Sequence, residues 1–303
     1  MRKEFSNSVE QLALEDESII FITGDLGYNA LENLKESMGP RFINAGVAEQ
    51  NMVGLAAGLA YKGYKVFCYS IAPFIVYRCL EQFRNDVCFH NLPVFLVGNG
   101  GGYGYGIMGS SHHAIEDLAI LSGMQNTTAW IPGFSDEVDP FLREIVYAGK
   151  PAYLRLGAGK HAPEGSYQSG SFKVLHHSSD AQVTIVCLGP VANNALAAIP
   201  QIGVPANVLS VSNLPLKITP EVKEILQKAN NILVVEEHIS IGGLAQQLSV
   251  QLLENNISVR SFKSLHAAGY PDRTYGSQSY HQKQSQLDTA GIVRNVSDLI
   301  SEI

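Results

Sequence analysis

Short runs of β-branched and other apolar residues alternate with longer helix-patterned segments along most of this 303-residue chain. In the first half such runs begin at positions 19, 65, 94, 129 and 152, with helical patterns between them. Strands and helices in this order are typical of βαβ units, in which helices cover both faces of a parallel sheet. The alternation therefore predicts an α/β fold, with a doubly wound domain in the first half.

The alternation stops at residue 157 and resumes after about residue 172. Residues 157–171 (Gly-Ala-Gly-Lys-His-Ala-Pro-Glu-Gly-Ser-Tyr-Gln-Ser-Gly-Ser) have no periodic apolar face, which is typical of a linker. Beyond it, strands are predicted at 183–187, 206–211, 232–235 and 259–261, and helices near 191–199, 219–228, 242–254 and 288–301. We predict two doubly wound α/β domains, residues 1–156 and 173–303, joined by a linker of residues 157–172.

Composition excludes several classes of protein. A net charge of −7 without any cluster of Lys and Arg argues against a nucleic-acid-binding surface. The four cysteines form no Cys-x-x-Cys pair, so a zinc site or a disulfide framework is not expected. No apolar run reaches the 18 or so residues of a membrane span, and no signal segment follows Met1. We expect a complete cytoplasmic chain, part of whose surface contacts another subunit.

One acidic residue, Glu49, stands at the head of a helix-patterned segment (residues 48–61) made mainly of small and apolar residues. Burial disfavours the charged form of a carboxyl group, so Glu49 must find a partner or take up a proton. A carboxyl group in that situation is a candidate for proton transfer. The alternative is a glutamate that only favours the positive end of the helix dipole.

The residues around Glu49 resemble a known family. Residues 46–52 (Gly-Val-Ala-Glu-Gln-Asn-Met) are similar to the segment of transketolases and deoxyxylulose-phosphate synthases whose glutamate meets N1′ of the aminopyrimidine of thiamine diphosphate. In that family the glutamate shares a proton with N1′, and the cofactor carries the difficult step. The resemblance implies that Glu49 is both catalytic and cofactor-binding.

A glycine-rich segment, residues 98–109 (Gly-Asn-Gly-Gly-Gly-Tyr-Gly-Tyr-Gly-Ile-Met-Gly), follows a predicted strand. Gly104, Gly106 and Gly109 satisfy the dinucleotide pattern Gly-x-Gly-x-x-Gly. That pattern belongs directly after the first strand of a Rossmann fold, with an acidic residue about 20 positions later, and neither condition is met. We predict instead a loop whose backbone approaches a ligand.

Two histidines, His112 and His113, follow this loop at a predicted helix entry. Adjacent residues on a helix point in different directions, which suits one acid/base residue and one structural neighbour better than a metal pair. The family resemblance aligns residues 108–114 with Asp-Gly-Pro-Thr-His-Gln-Pro and implies that His112 faces substrate and moves protons. Solvated histidines that only cap the helix remain the alternative.

Two positions depart from the family pattern. Met108 stands where the family has aspartate, and glycines around Asn99 and Gly100 replace the usual His-Asp or Asp-Arg pair. Those positions contact the substrate in the family, so Asn99 is a candidate substrate contact. The departures predict an unusual donor or acceptor, such as a nucleotide-linked or branched sugar.

Further site residues follow from the resemblance. Phe74 is expected to stack on the aminopyrimidine, with Ile71 and Tyr77 beside it. Asp25 is expected near the cofactor, and Arg155 is expected to bind the substrate phosphate. Core packing for Phe74, a turn for Asp25 and a strand-terminal ion pair for Arg155 are the alternatives. Residues 236–244 resemble a turn of the family's C-terminal domain that serves subunit contact.

The sequence contains no Gly-Asp-Gly, the segment with which these enzymes hold Mg²⁺ and the diphosphate. The resemblance therefore covers a pyrimidine-binding domain and a C-terminal domain only. We predict a split transketolase, in which a separate diphosphate-binding subunit completes thiamine diphosphate and Mg²⁺ binding and two copies of each chain form an α2β2 heterotetramer. Alternatives are the β subunit of a 2-oxo-acid dehydrogenase and a non-catalytic regulatory subunit.

Overall fold

The computed structural model describes residues 1–27 and 29–301. The strands are β1 (Ile19–Thr23), β2 (Phe42–Asn44), β3 (Lys65–Ile71), β4 (Val94–Asn99), β5 (Thr128–Trp130), β6 (Ala152–Leu156), β7 (Tyr167–Ser169), β8 (Phe172–His176), β9 (Val183–Leu188), β10 (Ala206–Val211), β11 (Asn213–Leu214), β12 (Asn231–Glu236) and β13 (Ser261–Leu265). The helices are α1 (Arg2–Glu15), α2 (Glu32–Met38), α3 (Glu49–Tyr61), α4 (Ala72–Tyr77), α5 (Leu80–Gln82), α6 (Asp117–Leu121), α7 (Val138–Ala148), α8 (Ala192–Ala198), α9 (Pro220–Lys228), α10 (Leu244–Glu254), α11 (Gln278–Gln284) and α12 (Thr289–Ser301).

The first sheet has the strand order β11-β5-β6-β4-β3-β1-β2. All of its pairings are parallel except the one between β11 and β5. Its central strands are buried along all or nearly all of their length, because helices pack on both faces. The predicted doubly wound parallel domain is confirmed.

The second sheet has the order β13-β12-β9-β10-β8-β7. Its four-strand core is parallel, and β8 and β7 add an antiparallel edge. This edge begins inside the predicted linker, since β7 occupies Tyr167–Ser169 and β8 starts at Phe172. A tight turn at Gly170, whose φ is +62°, joins the two strands. The second α/β domain is confirmed, and its sheet starts earlier in the chain than predicted.

Three local expectations were wrong in detail. The helical pattern between the runs at 65 and 94, which covers residues 74–89, predicts one helix, but the structure breaks it into α4, α5 and a π-helical segment, Phe83–Cys88. The strand predicted at 259–261 is β13, an edge strand that begins at Ser261. His112 and His113 lie in the loop before α6, which starts only at Asp117. In the described part of the chain, none of the helices combines the length and apolar character of a membrane span.

The carboxyl ends of β1, β3 and β4 lie side by side. The register pairs Thr23 with Tyr69 and Ile71 with Asn99. Ligands of open α/β sheets collect at this edge. The fold therefore brings residues from separate parts of the chain to the edge at which α3 begins.

Candidate functional site

Glu49 lies at the start of α3 and is only 2% exposed. Its Oε1 accepts a hydrogen bond of 2.9 Å from the buried Ser70 hydroxyl on β3. Its Oε2 lies 3.0 Å from Nη1 of Arg78. Gly24, directly after β1, is close enough that an added Cβ would lie 3.7 Å from Oε1. The buried carboxylate thus has both a hydrogen-bond donor and a cation as partners, which offset the cost of its desolvation.

Arg78 connects Glu49 to the predicted aromatic residue. Its guanidinium carbon lies 3.9 Å from the centroid of the Phe74 ring, while the side chain remains 46% exposed. The Phe74 ring in turn makes an edge contact with His112, at 5.1 Å between centroids. Three residues predicted from the sequence, Glu49, Phe74 and His112, are therefore connected by a chain of contacts through Arg78.

Sequence reasoning missed Arg78 and Ser70. Arg78 stands four positions after Phe74, a spacing that places two side chains on the same helix face, so a signal for it was present. Ser70 is a polar residue at the end of an otherwise apolar run, and nothing in the sequence distinguishes it from other strand serines.

A cleft of about 420 Å³ opens beside Glu49. It is lined by Val47, Ala48, Glu49, Gln50, Asn51 and Arg78. The guanidinium at its wall is a flat cation that lies over an aromatic ring and donates to a carboxylate. A flat heteroaromatic ring with one protonated nitrogen would satisfy the same two groups. The residues present therefore fit an aminopyrimidine.

His112 and His113 face opposite ways. Nδ1 of the half-buried His112 lies 2.9 Å from the Ser111 hydroxyl, and its ring meets Phe74. His113 is buried, with Nε2 2.8 Å from the Gly106 carbonyl oxygen and Nδ1 2.8 Å from the Tyr270 hydroxyl. Burial lowers the pKa of His113. His112 is therefore the more accessible histidine, and His113 is the structural neighbour.

Asn99 lies at the end of β4 and donates a hydrogen bond of 2.8 Å to the Tyr105 hydroxyl. The ring of Tyr105 covers Gly100, whose φ of +74° and lack of a side chain make this contact possible. Met108 is exposed on the same loop. The loop therefore offers a neutral, partly apolar surface where the family has charged residues.

Three predicted positions are not among the residues that line the Glu49 cleft. Tyr77 donates a hydrogen bond of 3.0 Å to Glu116, and burial raises the pKa of the Tyr77 hydroxyl. Ile71 is buried at the end of β3. Asp25 adopts φ +59° in a turn and accepts a hydrogen bond of 2.8 Å from Asn44. Its geometry matches the turn alternative.

Arg155 makes the ion pair that was the alternative to phosphate binding. The residue is only 4% exposed, and its Nε lies 2.9 Å from the fully buried Asp117 carboxylate. Nη2 donates to the carbonyl oxygens of Ala114 and Glu237 at 2.7 and 3.1 Å. The geometry of this guanidinium matches the ion-pair alternative, and phosphate binding by Arg155 stays a prediction.

Residues 236–238, expected at a subunit contact, are buried within the chain. Glu236 accepts the first amide protons of α10, from Leu244 and Ala245 at 2.6 and 3.0 Å, and burial raises its pKa to about 7. His238 accepts a hydrogen bond of 3.2 Å from the Ala119 amide. His238 therefore contacts the first domain, whereas the Glu236 carboxylate is bonded within the second.

Comparisons with known families cover nearly the whole chain. The transketolase pyrimidine-binding domain matches residues 1–161, and the transketolase C-terminal domain matches residues 172–292. One subunit of the apulose-4-phosphate transketolase of Phocaeicola vulgatus is 28% identical over 99% of this chain and 97% of that protein. A putative transketolase C-terminal section of Methanocaldococcus jannaschii is 30% identical over 85% of this chain and 83% of that protein.

Solved transketolase structures superpose on this chain over nearly its whole length. A split-gene transketolase described as an inactive β4 tetramer superposes with a TM-score of 0.81 at 25% identity and covers 99% of this chain and 97% of its own. Transketolase from Campylobacter jejuni superposes with a TM-score of 0.79 at 18% identity, over 98% of this chain and 46% of its own, and so shares the fold. The chain belongs to the transketolase family and comprises its pyrimidine-binding and C-terminal domains.

Proposed function

We propose that this chain is one subunit of a two-component, thiamine-diphosphate-dependent transketolase that transfers a two-carbon ketol unit between sugar phosphates. The observation that carries the proposal is the buried Glu49 carboxylate at the wall of an open cleft, connected through Arg78 to the Phe74 ring. A buried acid at the wall of a cleft, joined through a cation to an aromatic ring, supports recognition of an aminopyrimidine.

Each residue has a distinct task in this proposal. Thiamine diphosphate, when bound, supplies the carbon nucleophile needed to cleave a ketose carbon–carbon bond. Glu49 exchanges a proton with the pyrimidine nitrogen, and Phe74 supports the ring face. Ser70 keeps the Glu49 carboxylate oriented through its hydrogen bond to Oε1. His112 moves a proton on the reacting carbonyl or hydroxyl of the sugar.

The partner subunit is inferred from two observations. The sequence lacks the Gly-Asp-Gly segment that would hold Mg²⁺ and the diphosphate. Relatives that match over most of their own length are named as one subunit of a transketolase and as a transketolase C-terminal section. A doubly charged cation and a diphosphate need oxygen ligands beyond Glu49, so a second chain supplies them. We propose an α2β2 assembly with the active sites at subunit interfaces.

The sugar is proposed to be unusual. Met108 replaces the family aspartate and is exposed on the loop that carries His112, and Asn99 presents an amide where the family has a charged pair. A relative named for apulose-4-phosphate also supports a non-standard sugar phosphate. Fewer charges on this surface favour acceptors with fewer or differently placed hydroxyl groups.

The test is reconstitution with a co-expressed protein that carries Gly-Asp-Gly. Calorimetry with thiamine diphosphate and Mg²⁺ is expected to show tight binding only by the complex, and the complex is expected to transfer ketol units between sugar phosphates. Tight binding and full activity of the lone chain would refute the split site. Decarboxylation of 2-oxo acids without ketol transfer would replace the proposed reaction.

A further inference from the structure

We infer that Glu237, in the C-terminal domain, is a positioning residue that holds the glycine-rich loop and thereby His112 in place. This inference rests on the proposed function only in assigning His112 to the reaction. In the sequence, Glu237 belongs to a turn expected to serve subunit contact. In the structure, its side chain is 5% exposed and points at the loop of the other domain.

The Glu237 carboxylate joins two elements. It accepts a hydrogen bond from the backbone N–H of Tyr103 in the loop. It also accepts from the side-chain amides of Gln278 at 2.9 Å and Gln282 at 2.7 Å, which stand one turn apart on α11. Burial raises the pKa of Glu237, and these hydrogen bonds oppose that rise. One carboxylate therefore connects the first domain's loop to a helix of the second.

The loop is shaped to accept this carboxylate. Gly102 has φ +63°, and a Cβ there would lie 2.5 Å from Glu237 Oε1, so the approach requires glycine. Gly102 exchanges both backbone hydrogen bonds with Ala114, each of 2.9 Å. This bridge closes the loop two residues after His112. The contact with Glu237 therefore lies at the base of the segment that presents His112.

Other contacts from the second domain hold the loop on the same side. The Tyr103 hydroxyl bonds with the backbone of Gly269, and its ring stacks on His281 at 4.7 Å. His113 is fixed by the Tyr270 hydroxyl. His112 lies between these anchors, and its ring faces Phe74. The second domain therefore holds the backbone on both sides of His112 without touching the cleft.

Glu237→Gln would turn one of the two acceptor oxygens into a donor, so the buried Tyr103 N–H and the two glutamine amides would compete for a single acceptor. The loop would then relax at its base and displace His112 from the Phe74 ring. A displacement of about 1 Å in a reacting group costs on the order of 100-fold in rate. Glu49 and Phe74 lie on other elements, so cofactor binding would not change.

The matched control is Glu236→Gln. Glu236 is an equally buried carboxyl group in the same turn, but its hydrogen bonds go to the first amides of α10. The test compares Glu237→Gln, which keeps the side chain's size but presents an NH₂ group to donors, with this control. Gln278→Ala, which removes one donor to the carboxylate, is the second variant in case Glu237→Gln does not fold.

Two measurements test whether Glu237 positions the loop. Hydrogen exchange of residues 104–112 in the full chain is expected to accelerate at least about tenfold in the Glu237 or Gln278 variant and to stay unchanged in Glu236→Gln. In the reconstituted complex, kcat is expected to fall about 10- to 100-fold with cofactor Kd unchanged. Unchanged exchange, or faster exchange with wild-type kcat, would overturn the inference. A wild-type complex without ketol transfer would refute the proposed function alone, because the exchange measurement still tests the loop contact.

Discussion

The Arg155–Asp117 ion pair offers a quantitative test of the structure. The pair has an N–O distance of 2.9 Å and side-chain exposures of 4% and 0%. Asp117 Oδ2 also accepts a hydrogen bond of 2.8 Å from Tyr153. We consider Asp117→Asn, Arg155→Met and the double variant. Each single change leaves one buried group without its charged partner.

Removing one member of a buried pair costs about 3–5 kcal/mol, because the remaining charge is uncompensated. If the two single changes acted independently, their losses of unfolding free energy would add up to roughly 6–10 kcal/mol. The double variant removes both charges and is expected to lose less than that sum by at least about 2 kcal/mol. Urea unfolding of the full chain at pH 7 measures each free energy.

The exposed pair Arg143–Glu15 is the control. Its N–O distance is 3.0 Å, close to that of the buried pair, but its side chains are 44% and 56% exposed. Its coupling energy is expected to be below about 1 kcal/mol. Additive effects within about 0.5 kcal/mol at Arg155 and Asp117 would refute the structural ion pair. Such additive effects would instead favour the prediction that Arg155 binds the substrate phosphate.

Three further predictions follow from other contacts. The pKa of Glu236 is raised from 4.5 to about 7, so the wild-type free energy of unfolding should fall relative to Glu236→Gln, by up to about 3 kcal/mol, as pH rises through this interval. Urea unfolding at pH 5 and pH 8 measures this change, and a pH-independent difference would contradict it. Gly102→Ala should destabilise the chain more than Gly149→Ala, because both glycines have positive φ but only at Gly102 would the added Cβ meet Glu237. Equal decreases in the melting temperature of the two variants would contradict the close approach. Met108→Asp should shift the reconstituted enzyme's kcat/KM toward ordinary sugar phosphates, and unchanged ratios would remove Met108 from substrate selection.

Much of the first domain could be predicted because its central strands are buried on both faces. Such strands appear as short apolar runs, as β1 and β4 do. Edge strands carry no such signal. In β7 and β13 polar and half-exposed residues interrupt the apolar pattern. The sequence therefore predicts a linker where β7 lies and starts β13 two residues too early.

The site was predicted in part for a similar reason. Glu49, Phe74 and His112 stand in recognisable segments, and the structure brings them together. The partner of Arg155 lies 38 positions away on α6, a tertiary contact that no local pattern reveals. The contact of Glu237 with the loop spans 134 positions and is equally invisible in the sequence.

The most direct test of the central claim is kcat of the reconstituted complex carrying Glu49→Gln. Glu137→Gln is the control, because Glu137 is as buried as Glu49 but accepts the backbone amides of Gly133 and Phe134. The account predicts a loss of at least about 100-fold for Glu49→Gln, the lower range for removal of an acid/base group, and near wild-type turnover for the control. Wild-type turnover with Glu49→Gln would contradict it.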